Sequence, residues 1–116
     1  MLLKNKRKSR DETNKLLIFR TNTENVNLSA YDLNAHQLNL GNLGINYHFV
    51  IDAFGKLEKV IPIDAIGEGS DTAISVCIVG GKNDKKNLSE NQSIALNKIK
   101  QFINEKYNKA LTEEYV

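Results

Sequence analysis

The stretch Gly44-Ile45-Asn46-Tyr47-His48-Phe49-Val50-Ile51-Asp52, followed by Ala53-Phe54-Gly55-Lys56-Leu57, constrains the fold most. It reads as a strand, a tight turn at Phe54-Gly55 and a return strand from Leu57 to Ile61 that ends at Pro62. Alternation along the first strand puts Tyr47, Phe49 and Ile51 on one face and His48, Val50 and Asp52 on the other. Both faces carry apolar residues, so the strand belongs inside a sheet.

Two more runs suit that sheet. Lys15 to Arg20 is apolar with polar ends, and Ala73 to Val79 is apolar and β-rich up to the glycine pair Gly80-Gly81. Ser29 is placed to cap a short helix through Leu38, with Ala30, Leu33 and Gln37 on one side. Ser89 with Gln92 is a capping-box pair opening a helix to about Tyr107. Along it Ala95, Leu96, Ile99, Phe102 and Ile103 recur at helical spacing. Thr21 to Asn27, Ile63 to Thr72 and Lys82 to Asn87 read as loops. The order strand, helix, hairpin, strand, helix predicts an α/β fold, a mixed central sheet flanked by helices.

At 116 residues the chain suffices for one domain with a modest core, assigned to residues 15–116. A net charge of +2 is too mild to point to nucleic acid, and one cysteine excludes an internal disulfide. No apolar run approaches the roughly 18 residues of a membrane span. The basic start, Lys4 to Arg10, is backed by no apolar segment and is not a secretory signal, which implies a cytoplasmic chain. Residues 1–14 are expected to be a basic, disordered tail whose cations are solvated.

From Leu16 to Leu111 the order and spacing of these motifs resemble the N-acetylmuramoyl-L-alanine amidase family, which includes short phage lysozyme-amidases and peptidoglycan recognition proteins. The resemblance is carried by Asn46-Tyr47-His48-Phe49, the Phe54-Gly55 turn, Ala35-His36 on the short helix and Ile74-Ser75-Val76-Cys77-Ile78-Val79-Gly80-Gly81. It implies a C-terminally short form of the family's fold and a zinc cofactor. In the family a His at the end of the first strand, a second His after the long helix and a nearby Cys or Asp hold the metal. Here Arg20 stands at the first position; a guanidinium stays cationic and cannot ligate zinc. The second His would fall near Tyr115, and the chain up to Val116 offers no residue for the third ligand.

A zinc site relocated onto His36, His48 and Cys77 is disfavoured, since Cys77 sits mid-strand as a small apolar residue and the matching family His is not a ligand. The resemblance therefore implies no bound cofactor and no catalytic set. Tyr47 matches the family's active-site tyrosine and is either a ligand contact or a half-buried structural residue. Arg20 either holds a carboxylate or phosphate bidentately or fills the vacant pocket. The ligand-binding candidates are Arg20, Tyr47, His48 and His36. The implied function is that of a catalytically defective binding or regulatory protein recognising a protein partner or a muropeptide-like ligand. The alternative is an active zinc amidase whose metal site is completed by a missing segment or a partner chain.

Overall fold

The computed structural model describes residues 7–23, 26–81 and 88–116. The elements are β1 (Lys15–Arg20), α1 (Ala30–Asn39), β2 (Phe49–Ile51), β3 (Leu57–Lys59), β4 (Ala73–Ile78), α2 (Glu90–Tyr107) and β5 (Thr112–Tyr115). They build a five-stranded sheet in the order β3-β2-β4-β1-β5. β4 pairs in parallel with both β1 and β2, β5 is parallel to β1, and β3 alone is antiparallel, against β2. The mixed α/β architecture expected from the sequence is present. β1 and β2 are joined through α1, and β4 and β5 through α2, crossovers that each skip one strand of the sheet.

Strand alternation sorts the core into two halves. Leu16 and Ile18 of β1, Phe49 and Ile51 of β2, and Ile74, Val76 and Ile78 of β4 face Ala95, Leu96, Ile99 and Ile103 of α2. Val50 and Cys77 point to the opposite face, where Ala30, Ile45, Val60, Ile61 and Val79 close a second core. Every residue of β4 is buried, as expected for a central strand covered on both sides. Phe102 sits at the rim of the first core, edge-on to Phe49 at 6.5 Å between centroids.

Both helices start where the sequence places them. Ser29 and Asp32 form a reciprocal capping box on α1, and Ser89 and Gln92 form one on α2. Gln92 does more than cap. Its side-chain amide, 4 % exposed, donates to the carbonyls of Asp52 (3.1 Å) and Val79 (2.7 Å) while its oxygen accepts from Ser89 N–H. One side chain thus ties the start of α2 to the ends of β2 and β4.

Three features differ from the expectation. The first is β5, whose Thr-Glu-Glu-Tyr sequence carries no apolar period. It pairs with β1 from Lys15↔Thr112 to Ile18↔Tyr115, flanked by the ion pairs Lys15–Glu114 and Lys100–Glu113. The second is the N-terminus. Residues 1–6 lie outside the described residues, but from Arg7 onward the segment is packed, not a solvated tip. Arg10 N–H donates to Asp64 O, Ile66 N–H donates to Lys8 O, and Ser9 bridges Ala65 in antiparallel sense. The third is Tyr47, which packs into the second core against Phe19, 5.3 Å between centroids, rather than beside Phe49 and Ile51. Ladder geometry begins only at Phe49, so the alternation does not extend back to Tyr47.

Candidate functional site

A cleft of about 560 Å³ opens where β1 ends beside α1. Its walls are Arg20 and Thr21 at the strand end, one side of α1 and the approach to β2, with Cys77 of β4 among the lining residues. On α1 the cleft residues Asp32, Leu33, His36 and Gln37 fall one turn apart, the spacing that puts side chains on a common helix face. Three of the four sequence-derived candidates, Arg20, Tyr47 and His36, therefore share one cavity although they lie on three separate segments.

Arg20 is the charged group at the strand end. Its Nε donates to the carbonyl of Ile78 at 3.2 Å. The guanidinium lies over Gly80, where a Cβ would collide with Nη2. Gly80 also has φ +142°, in the region that favours glycine. The glycine pair that stops β4 thus makes room for the arginine that ends β1. Arg20 also lines a second cavity of about 570 Å³, bounded by Phe54, Gly80, Ser89 and Gln92, so it stands at the junction of the two.

Tyr47 and Cys77 both line the cleft and belong to the second core. Burial raises the Tyr47 hydroxyl well above the ordinary phenol range, helped by the nearby Cys77 and Glu68. Burial also pushes the Cys77 thiol up to about 12, opposed by the nearby Tyr47 hydroxyl and by the Arg20 charge. Both groups are protonated near neutral pH: Tyr47 is a neutral hydrogen-bonding group and Cys77 a neutral thiol.

His48 is not in the cleft. It is 1 % exposed, and the sequence-based reading of it as a ligand contact is corrected here. Its Nδ1 accepts from the backbone N–H of Ser75 at 2.9 Å, and its Nε2 lies 2.8 Å from the carbonyl of Ala65. An acceptor at Nδ1 and a donor at Nε2 assign the neutral Nε2–H tautomer from the hydrogen-bond network. Burial lowers its pKa to about 4, the hydrogen bond to Ala65 partly opposing, and the cations of Arg10 and Arg7 lower it further. The imidazole takes the place of a ladder carbonyl beside β4. Gly67 packs against the ring so closely that a Cβ there would strike it.

Of the possible zinc donors, Asp32, His36 and Cys77 line the cleft. Among the described residues no three of His, Cys, Asp or Glu come together to hold a metal ion. Sequence reasoning missed Arg7 and Arg10, whose side-chain partners are 39 to 97 residues away except for the local Thr13. The signal available was an arginine a few residues before β1, and nothing local distinguished it from the rest of a basic run. No helix among the described residues is long and apolar enough to cross a membrane.

No protein-family model matches the chain. An endolysin of Enterobacteria phage K11 is 28% identical over 111 residues, spanning 88% of this chain and 74% of the relative. The endolysin N-acetylmuramoyl-L-alanine amidase LysCS of Clostridium intestinale superposes with a TM-score of 0.73 at 17% identity, covering 97% of this chain and 79% of that one. The peptidoglycan recognition protein ectodomain complex LCa–LCx, solved with tracheal cytotoxin bound, gives 0.73 at 17% identity, with 94% and 75% covered. The five-stranded sheet, the helix on each face and these superpositions agree: the chain has the fold of the N-acetylmuramoyl-L-alanine amidases and peptidoglycan recognition proteins.

Proposed function

We propose that the cleft binds a muropeptide-like ligand through a carboxylate without hydrolysing it. The observation that carries this reading is Arg20, a fixed cation at the end of β1, seated over Gly80 and held by the Ile78 carbonyl at the cleft wall. A guanidinium pairs with a carboxylate bidentately and stays charged at any working pH. Tyr47, neutral and half-buried, supplies a hydroxyl, and His36 and Gln37 offer polar contacts from α1. Amide hydrolysis in this setting would need a polarised carbonyl and an activated water. The described His, Cys, Asp and Glu side chains do not assemble a group to supply them.

Calorimetric titration with a soluble muropeptide, and with the same molecule carboxamidated, tests the proposal. Binding to wild type, with a tenfold or greater loss on amidation and in Arg20→Gln, supports it. Equal affinity across all three, or no binding to wild type, overturns it. The endolysin relative favours a second reading, an active amidase whose metal is completed by a further segment or a partner chain. Zinc-dependent release of peptide from the muropeptide would select that reading.

A further inference from the structure

The segment before β1 is built into the wall that holds the cleft tyrosine. Arg10 uses all three guanidinium nitrogens. Nε donates to Thr13 Oγ1 at 2.7 Å, Nη1 to the carbonyl of Ala65 at 2.7 Å, and Nη2 to the hydroxyl of Tyr107 at 2.9 Å. The Ala65 carbonyl is the same one that accepts from His48 Nε2. Arg7 donates to Asn46 Oδ1. The loop that Arg10 grips returns the contact, because Glu68 N–H donates to Asn46 O at 2.9 Å and Ser75 Oγ donates to Glu68 O. Asn46 and His48 flank Tyr47. Each is held by a strap arginine, directly or through the shared carbonyl, and by the 65–68 loop.

We propose that Arg7 and Arg10 are positioning residues for the cleft, fixing Asn46 and His48 so that Tyr47 stays closed against Cys77. A solvated tail needs no buried partners. This segment instead makes charge-assisted hydrogen bonds to a backbone carbonyl and to side chains from both halves of the chain. The peptide plane on either side of Tyr47 is thereby restrained, and with Phe19 against its ring the tyrosine has one seat. Loss of the strap frees the approach to β2 while the sheet and both cores stay formed, since neither Arg7 nor Arg10 belongs to a core.

Cys77, the single cysteine, is 2 % exposed and lines the same cleft, so its thiol reports whether Tyr47 is in place. The experiment measures the labelling rate of native protein by a thiol reagent in wild type, Arg7→Ala, Arg10→Ala and Arg10→Lys, together with urea stability. Ile103→Ala, on the far face of the sheet, serves as a control for global destabilisation. The expected result is that Arg10→Ala raises the rate at least tenfold beyond what its loss of global stability accounts for, with Arg10→Lys between it and wild type. In Ile103→Ala the rate rises only as stability falls. If labelling of Arg10→Ala follows stability alone, as in the control, the strap is mere packing and the proposal is overturned. Should Arg10→Ala fail to fold, Arg7→Ala decides, because its contact is a single side-chain pair to Asn46.

The consequence for ligand affinity rests on the function proposed above. Muropeptide titration separates the two: a wild type that fails to bind refutes that function and leaves the labelling result to judge the strap. A wild type that binds tightly and an Arg10→Ala variant that binds several-fold more weakly support both.

Discussion

Lowering the pH from 7 to 5 should destabilise this protein through one side chain, His48. Its pKa is about 4 in the folded chain against 6.5 when free, because the ring is buried and faces Arg10 and Arg7. The unfolded chain takes up a proton as the pH falls through about 6.5, and the folded chain does not until about 4. Stability is therefore complete above the unfolded value, declines as the pH falls toward the folded value and levels off below it. At about 1.4 kcal/mol per unit, the whole difference is roughly 3 kcal/mol, and about 2 kcal/mol of it is lost between pH 7 and pH 5. The assay is urea unfolding at half-unit intervals for wild type and His48→Gln. The variant is less stable at neutral pH, having lost the buried imidazole's contacts with Ser75 and Ala65, but its amide does not titrate, and His36 and all carboxylates are common to both proteins. The wild-type minus variant difference should shrink by about 2 kcal/mol across this window. A difference that is flat with pH would refute the neutral Nε2–H assignment and the burial argument behind it.

Further outcomes follow from other contacts. Gln92→Ala removes the donor from two buried carbonyls and the reciprocal cap of α2, and should cost about 2–3 kcal/mol in urea unfolding. Gly80→Ala forces a side chain into a positive-φ position and against Arg20; we expect a loss of about 1–3 kcal/mol and a several-fold drop in muropeptide affinity. Cys77, with its thiol raised to about 12, should resist iodoacetamide at pH 8 in native protein and react fully in denaturant, as read by intact mass.

How much of this was legible in the sequence depends on whether a feature is local. α2 was, because its apolar residues keep helical spacing and Ser89 with Gln92 marks its start. β4 was, because a run buried on both faces is continuously apolar. β5 was not: Thr112 to Tyr115 become a strand only because β1 offers an unpaired edge, and a charged edge strand has no core pattern to read. The strap was illegible for the same reason, since the bonds of Arg10 to Ala65 and Tyr107 exist only after the chain has folded back.

The candidate site was partly readable. Arg20 and Tyr47 were singled out by position in recognisable motifs, and the topology brings them to one cleft with His36. His48 was singled out for the same reason and is instead a buried structural residue. A sequence shows that a histidine sits on a strand; it does not show that a backbone N–H from the neighbouring strand occupies its Nδ1.

The most direct test of the account is mass spectrometry of a soluble muropeptide incubated with stoichiometric protein and added zinc, alongside calorimetry on the same samples. The account predicts an intact muropeptide and an affinity unaffected by zinc. Zinc-dependent release of the L-alanyl peptide would contradict it and show that the cleft is a working amidase centre.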